Sequence, residues 1–307
     1  MNKAPAQHLI IAGVTRAGTT SLYNYLADHP RTARSTIKET RFFLDHDELK
    51  RLHRFEEGIG AYEKFFPDCP PDAVRLEATP DYLYRPAVAK RIAETLPDAH
   101  IVVILREPIT RLVSWRRYAI QNGLLDPGIS LTDYIRVQFE AEAAGGALPQ
   151  HLRALSEGRY ARFLAPWIEA FGKDRLIVIN YRDLMDDPAG VTHDICRRVG
   201  IAPGFYDDYS FDIHNASRRV RWPRLHSAYR SLIWRVKPHV HDKPAVRAAL
   251  RGLRRSTDAL LGRSGNQARG GDPGDVLTDD DRQQLEGFYR DEPAELACLL
   301  GQAEWTW

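Results

Sequence analysis

The 307-residue chain has little of several things, and each scarcity narrows what it can be. Cysteine is one: Cys69, Cys196 and Cys298 are odd in number, far apart and outside any CxxC or Cys/His spacing, which argues against a structural zinc site or a disulfide framework. A reducing, cytoplasmic setting is the resulting expectation. Long apolar runs are also missing. The stretch His8 to Val14 is far too short to span a bilayer and lacks the basic flank and small-residue exit of a cleavable signal, so it reads as a buried strand. Nor is one sign of charge in excess. The 43 Lys and Arg nearly balance 41 Asp and Glu, so no global field favours nucleic acid, and an anion site has to come from local clustering. His239 and His241 have no carboxylate or Cys partner at metal-binding spacing, and no metal site is expected.

What the chain does have is alternation. The runs Leu9 to Val14, His100 to Leu105 and Arg175 to Asn180 are apolar and rich in β-branched residues, as strands covered on both faces are. Each breaks into a polar turn and then a helical pattern: from the end of the first turn to His29-Pro30, from Thr110 to Asn122, and from Ala189 to Val199. This predicts an α/β fold with a central parallel β-sheet flanked by helices in three layers. With 43% hydrophobic residues, a single domain over 1–307 has ample core. Within it, 214–275 reads as an insertion or arm. Its part from His214 to Arg263 holds thirteen Lys and Arg against two Asp, and Gly262 to Asp275 has almost nothing to bury and is expected to be mobile.

The turn after the first strand, Gly13-Val14-Thr15-Arg16-Ala17-Gly18-Thr19-Thr20, has the Gly-x4-Gly spacing of a phosphate loop, in which backbone N–H groups and a helix N-terminus cradle an anion. A nucleotide triphosphatase would place Lys and then Ser or Thr after the second glycine. Here that place is Thr19-Thr20, and the cation lies inside the loop as Arg16. The second strand ends on Arg106, where magnesium chemistry would want an Asp; a guanidinium repels a divalent ion and attracts phosphate. Ser114, in the helix that follows, is placed to join Arg106 in a phosphate clamp. These features point to a metal-independent anion site.

Two motifs together are far more specific than one. Gly13 to Leu22 resembles the 5′-phosphosulfate loop of sulfotransferases, and Leu105-Arg106-Glu107-Pro108 followed by Ser114 resembles their 3′-phosphate motif. Lys38-Glu39-Thr-Arg-Phe-Phe43, Glu77-Ala-Thr-Pro-Asp-Tyr82 and Leu299 to Trp307 extend the likeness over nearly the whole chain. The pattern is nearest to the domains that sulfate heparan amines and 3-hydroxyls.

The resemblance implies 3′-phosphoadenosine 5′-phosphosulfate (PAPS) as donor, its desulfated form PAP as product, and no metal. It implies Glu39 as general base and Arg16 as the loop cation, where the family usually has Lys. Around the donor it implies Thr15, Arg16, Ala17, Gly18, Thr19, Thr20, Ser21, Arg106, Ser114 and Tyr160, with Arg218 and Arg219 capping the 3′-phosphate. Lys38, Glu77 and Tyr82 fall on the acceptor side. The disulfide-bounded loop and Lys-Gly-Arg segment of the heparan enzymes are not found here, so heparan is not carried over as substrate.

Other readings stay open on sequence. One is a nucleotide-dependent kinase with a variant loop, and another is a non-catalytic protein that binds PAPS or a polyanion. The acceptor, bearing a hydroxyl or amine, could be a glycan, a glycolipid or a small molecule. The basic segment, with Trp222, Tyr229 and Trp234, would either rest peripherally on anionic lipid or glycan or pack as a solvated helical insertion.

Overall fold

The structure, a computed structural model, describes residues 8–45, 53–146, 148–212 and 276–307. The basic segment, the Gly-rich stretch and Arg218 and Arg219 therefore lie outside the described residues.

Five parallel strands form one sheet: β1 His8–Gly13, β2 Thr32–Arg34, β3 Val74–Ala78, β4 His100–Leu105 and β5 Leu176–Asn180, in spatial order β2-β3-β1-β4-β5. All six positions of β1 and of β4 are buried, as their uninterrupted apolar runs require for strands covered on both faces. The expected α/β architecture is the one observed. β2 and β3 were not legible as strands, because β2 has only three residues and β3 carries Arg75 and Glu77.

From β1 the chain crosses to β2 through α1 Thr19–Ala27 and goes on to β3 by way of the short α2 Ile59–Glu63, and α3 Pro86–Thr95 carries it back past β1 to β4. Right-handed crossovers running in opposite directions put α1 and α3 on opposite faces. A third crossover, through α4 Pro108–Gln121, α5 Leu131–Ala144 and α6 Ala161–Arg175, reaches β5 in the same direction as α3, and α6 packs on α3. α7 Tyr181–Asp186 and α8 Pro188–Val199 follow, and α8 packs on α1. Two C-terminal helices, α9 Asp279–Phe288 and α10 Glu292–Leu300, close the described chain. α10 packs on α6, and α9 joins α4 and α5 around a second apolar cluster of Leu112, Trp115, Tyr134, Leu285 and Tyr289.

The strand order reverses between β1 and β4, so the crevice outside their carboxyl ends is where a ligand belongs in such a sheet. The Gly13–Gly18 loop and Arg106 stand there.

Candidate active site

Both glycines of the loop have a steric reason. A Cβ on Gly13 would meet the Leu83 side chain at 3.0 Å, and Gly18 has φ +79° with Leu184 and Tyr181 3.2 Å from where a Cβ would be. Gly18 is also the N-cap of α1 and offers no side chain to its first turn, so these N–H groups face the crevice without a side-chain cap.

Arg16 takes φ 71°, a left-handed conformation that costs a non-glycine residue about 1–2 kcal/mol. Bonds on both sides hold it. Its Nε donates to Ser114 Oγ at 3.1 Å, and its carbonyl accepts from Arg106 Nη1 at 3.0 Å. The Arg16 guanidinium lies 5.3 Å from the Tyr118 ring centroid, and that of Arg106 lies 4.7 Å from Tyr181. Burial is the main force lowering the pKa of both arginines. A guanidinium hardly deprotonates, so each keeps its charge at neutral pH.

Lys38 reaches the start of α1. Its Nζ donates to Thr20 Oγ1 at 3.1 Å and to Thr19 Oγ1 at 3.4 Å, so a second cation bridges the two hydroxyls at the start of α1. Burial lowers its pKa, opposed by Glu39 and Asp81. Glu39 stands at the rim, its side chain 39% exposed, 3.9 Å from Lys38 Nζ and 2.8 Å from Arg41 Nη2. Arg41 reaches Asp81 as well, at 3.6 Å.

The segment bearing Lys38 and Glu39 is anchored to β3 by the Ala78 amide, which donates to the Lys38 carbonyl at 2.9 Å, and by a buried polar knot around Glu77. Glu77 is 0% exposed and accepts from the hydroxyls of Thr40 at 2.6 Å, Thr79 at 2.9 Å, Tyr62 at 3.1 Å and Tyr82 at 3.3 Å. Burial raises its pKa, and the four hydroxyls act against the rise.

The structure thus brings Arg16, Thr19, Thr20, Lys38, Glu39, Arg106 and Ser114 to one crevice. It puts the remaining sequence-selected residues elsewhere. The Thr15 hydroxyl is buried without a hydrogen-bond partner among the described residues, and Ala17 and Ser21 are buried in the loop and first turn. Tyr160 is fully buried, its hydroxyl donating to the Arg106 carbonyl at 2.7 Å, so it supports Arg106 from behind. Glu77 and Tyr82 were expected to face the acceptor. Both are 0% exposed, which makes them supports of the Lys38–Arg41 segment because Glu77 is satisfied only by hydroxyls gathered inside the fold.

Sequence reasoning passed over Tyr118, Tyr181, Arg41 and Asp81. Tyr118 had a signal: it follows Ser114 by four positions and so shares its helix face. Among the described residues, no group of three or more His, Cys, Asp and Glu is arranged to hold a metal.

This arrangement is a phosphate-loop-like α/β crevice in which two arginines and a lysine gather around the start of a helix. The chain belongs to the sulfotransferase domain family, whose pattern matches residues 6–221. It is 29% identical over 220 residues to human bifunctional heparan sulfate N-deacetylase/N-sulfotransferase 3, covering 67% of this chain and 24% of that protein. The Caenorhabditis elegans bifunctional heparan sulfate N-deacetylase/N-sulfotransferase 1 is 26% identical over 206 residues, 66% of this chain and 23% of the relative. The chain thus spans about a quarter of the length of these relatives. Among solved structures, a sulfotransferase from Alicyclobacillus acidocaldarius shares the fold with a TM-score of 0.65 at 20% identity, covering 98% of this chain and 97% of the other.

Proposed function

We propose that the protein transfers a sulfuryl group from PAPS to a hydroxyl or amine of a glycan, glycolipid or small-molecule acceptor, with Glu39 as general base. The observation that carries this reading is the placement of one exposed carboxylate, Glu39, at the rim of a cradle of cations: 3.9 Å from Lys38, which itself bridges Thr19 and Thr20.

The residues suit the donor. The uncapped start of α1 and the Thr19 and Thr20 hydroxyls would take the 5′-phosphate. The donor supplies an S–O anhydride bond whose cleavage leaves charge on that phosphate. Arg16 and Lys38 stabilise the charge. Arg16 acts by charge alone, because a guanidinium does not give up its proton near neutral pH. Glu39 accepts the acceptor's proton, for which Arg41 has to share or release its 2.8 Å contact. Tyr160, Glu77 and Tyr82 hold these groups in place.

A cytoplasmic location goes with this reading, as does a peripheral role for the basic segment against lipid or glycan. No described helix is long and apolar enough to cross a membrane.

The test is release of PAP from PAPS in the presence of a panel of amino- and hydroxyl-bearing acceptors. Glu39→Gln should bind PAP as the wild type does and lose roughly 100- to 10,000-fold in kcat. A Glu39→Gln enzyme with full turnover would remove the assigned base. Phosphoryl transfer from ATP with no use of PAPS would remove the donor.

A further inference from the structure

Glu39 stands between two cations, and each of them has a second partner. Lys38 Nζ is 3.9 Å from Glu39 Oε1 and also reaches the hydroxyls of Thr19 and Thr20, on the donor side. Arg41 Nη2 is 2.8 Å from Glu39 Oε2 and 3.6 Å from Asp81 Oδ2. One guanidinium nitrogen with two N–H bonds thus serves two carboxylates.

The fold sets where the Arg41 side chain begins. Arg41 takes φ 54°, in the left-handed region that side chains rarely adopt. Its amide donates to Thr79 Oγ1 at 3.2 Å, and its carbonyl accepts from the Leu44 amide at 3.3 Å. The Thr79 hydroxyl in turn donates to Glu77 at 2.9 Å, so the buried knot that anchors the Lys38–Arg41 segment also fixes the Arg41 backbone. Asp81 follows Thr79 directly, in the short turn Pro80–Tyr82 at the end of β3. With both backbones set, the freedom left is rotation of one long side chain between two carboxylates.

Glu39 is the nearer of the two. Asp81 is the less exposed, 22% against 39%, so its attraction for the guanidinium is less screened by water. Burial lowers the pKa of Arg41, but Asp81 and then Glu39 act against that and raise it overall. Burial raises the pKa of Asp81, and Arg41 is the first charge opposing the rise. An acceptor's O–H or N–H needs the lone pair on Glu39 that Arg41 holds in this structure.

We propose that Asp81 is a positioning residue that draws the Arg41 guanidinium off Glu39 when an acceptor enters, freeing that carboxylate to take the acceptor's proton. The proposal rests on the reading of Glu39 as base. Lys38 and Arg41 then leave Glu39 in different directions, one toward the donor phosphate and the other toward Asp81.

The test is the rate of PAP release from PAPS with glucosamine, phenol and water as acceptors, in wild type, Asp81→Asn, Asp81→Glu and Asp81→Asn combined with Arg41→Met. Asp81→Asn should lose about tenfold or more in kcat while PAP affinity, read by calorimetry, stays within about twofold. Asp81→Glu keeps the carboxylate and should recover most of that loss. The double variant should turn over faster than Asp81→Asn, because removing the guanidinium releases Glu39; damage to packing alone would make it slower. Wild-type kcat in Asp81→Asn, a double variant slower than Asp81→Asn, or loss of PAP binding beside loss of turnover overturns this assignment and leaves the PAPS reading standing. Full turnover by Glu39→Gln removes the base and this role with it, and a wild type that releases no PAP from PAPS overturns both readings.

Discussion

Thr40 is the point at which the segment bearing the assigned base is tied to the core, and Thr40→Val is a close test of that tie. The substitution nearly conserves volume and removes one hydroxyl that donates to Glu77 at 2.6 Å, contacts the Tyr82 hydroxyl at 3.1 Å and accepts from the Phe42 amide at 3.3 Å. A buried hydrogen bond to a charged acceptor contributes roughly 1.5–3 kcal/mol, so a stability loss of about 2–3 kcal/mol is expected near neutral pH.

The loss should depend on pH. Glu77 has its folded-state pKa raised chiefly by burial, so the folded protein holds that proton more tightly than the unfolded chain, and stability falls as pH rises through the folded value. The Thr40 hydroxyl opposes the rise; without it the folded value climbs further and the fall grows larger. Urea unfolding of both proteins at about pH 5 and about pH 8 reads this directly, the deficit being greater at the higher pH. A deficit below about 0.5 kcal/mol, or one equal at the two pH values, would refute the role given to the knot.

Three further outcomes follow from the same contacts. Lys38→Met removes the ammonium bridging Thr19 and Thr20 and should weaken PAP binding about tenfold or more, read by titration; unchanged affinity would detach Lys38 from the donor site. Tyr160→Phe deletes the buried donor to the Arg106 carbonyl and should cost about 1–2 kcal/mol in urea unfolding, together with weaker PAP binding; loss of stability alone would make Tyr160 a core residue only. His8 has its pKa lowered to about 4 by burial and by Arg75. The unfolded chain therefore binds the extra proton first, and the His8 contribution is present above about pH 6.5 and lost as pH falls to about 4, roughly 3 kcal/mol in all. His8→Phe should flatten that limb of the stability profile, and an unchanged limb would count against it.

Strands β1, β4 and β5 were legible in the sequence because each is a continuous apolar run cut off by a polar turn, and that sufficed for the parallel α/β fold. β3 was not. Its Glu77 was expected on the acceptor side, and only the assembled fold brings the hydroxyls of Thr40, Tyr62, Thr79 and Tyr82 around it. The same distance in sequence hid the position of Lys38 on Thr19 and Thr20. The loop from Gly13 to Gly18 and Arg106 were legible because each follows a strand directly, so strand direction alone delivers them to one crevice. Arg41 and Asp81 lie inside the segments Lys38–Phe43 and Glu77–Tyr82 that carried the likeness, but their mutual contact joins residues forty positions apart and left no local signal.

The central claim is that the cradle at Gly13–Gly18 holds a 3′-phosphoadenosine donor in preference to a triphosphate with magnesium. Parallel calorimetric titrations of the wild type and Arg106→Ala with PAP and with ATP and magnesium test it most directly. The account predicts PAP binding that Arg106→Ala loses, beside weak binding of ATP. Clear ATP binding with none of PAP would contradict it and bring the kinase reading forward.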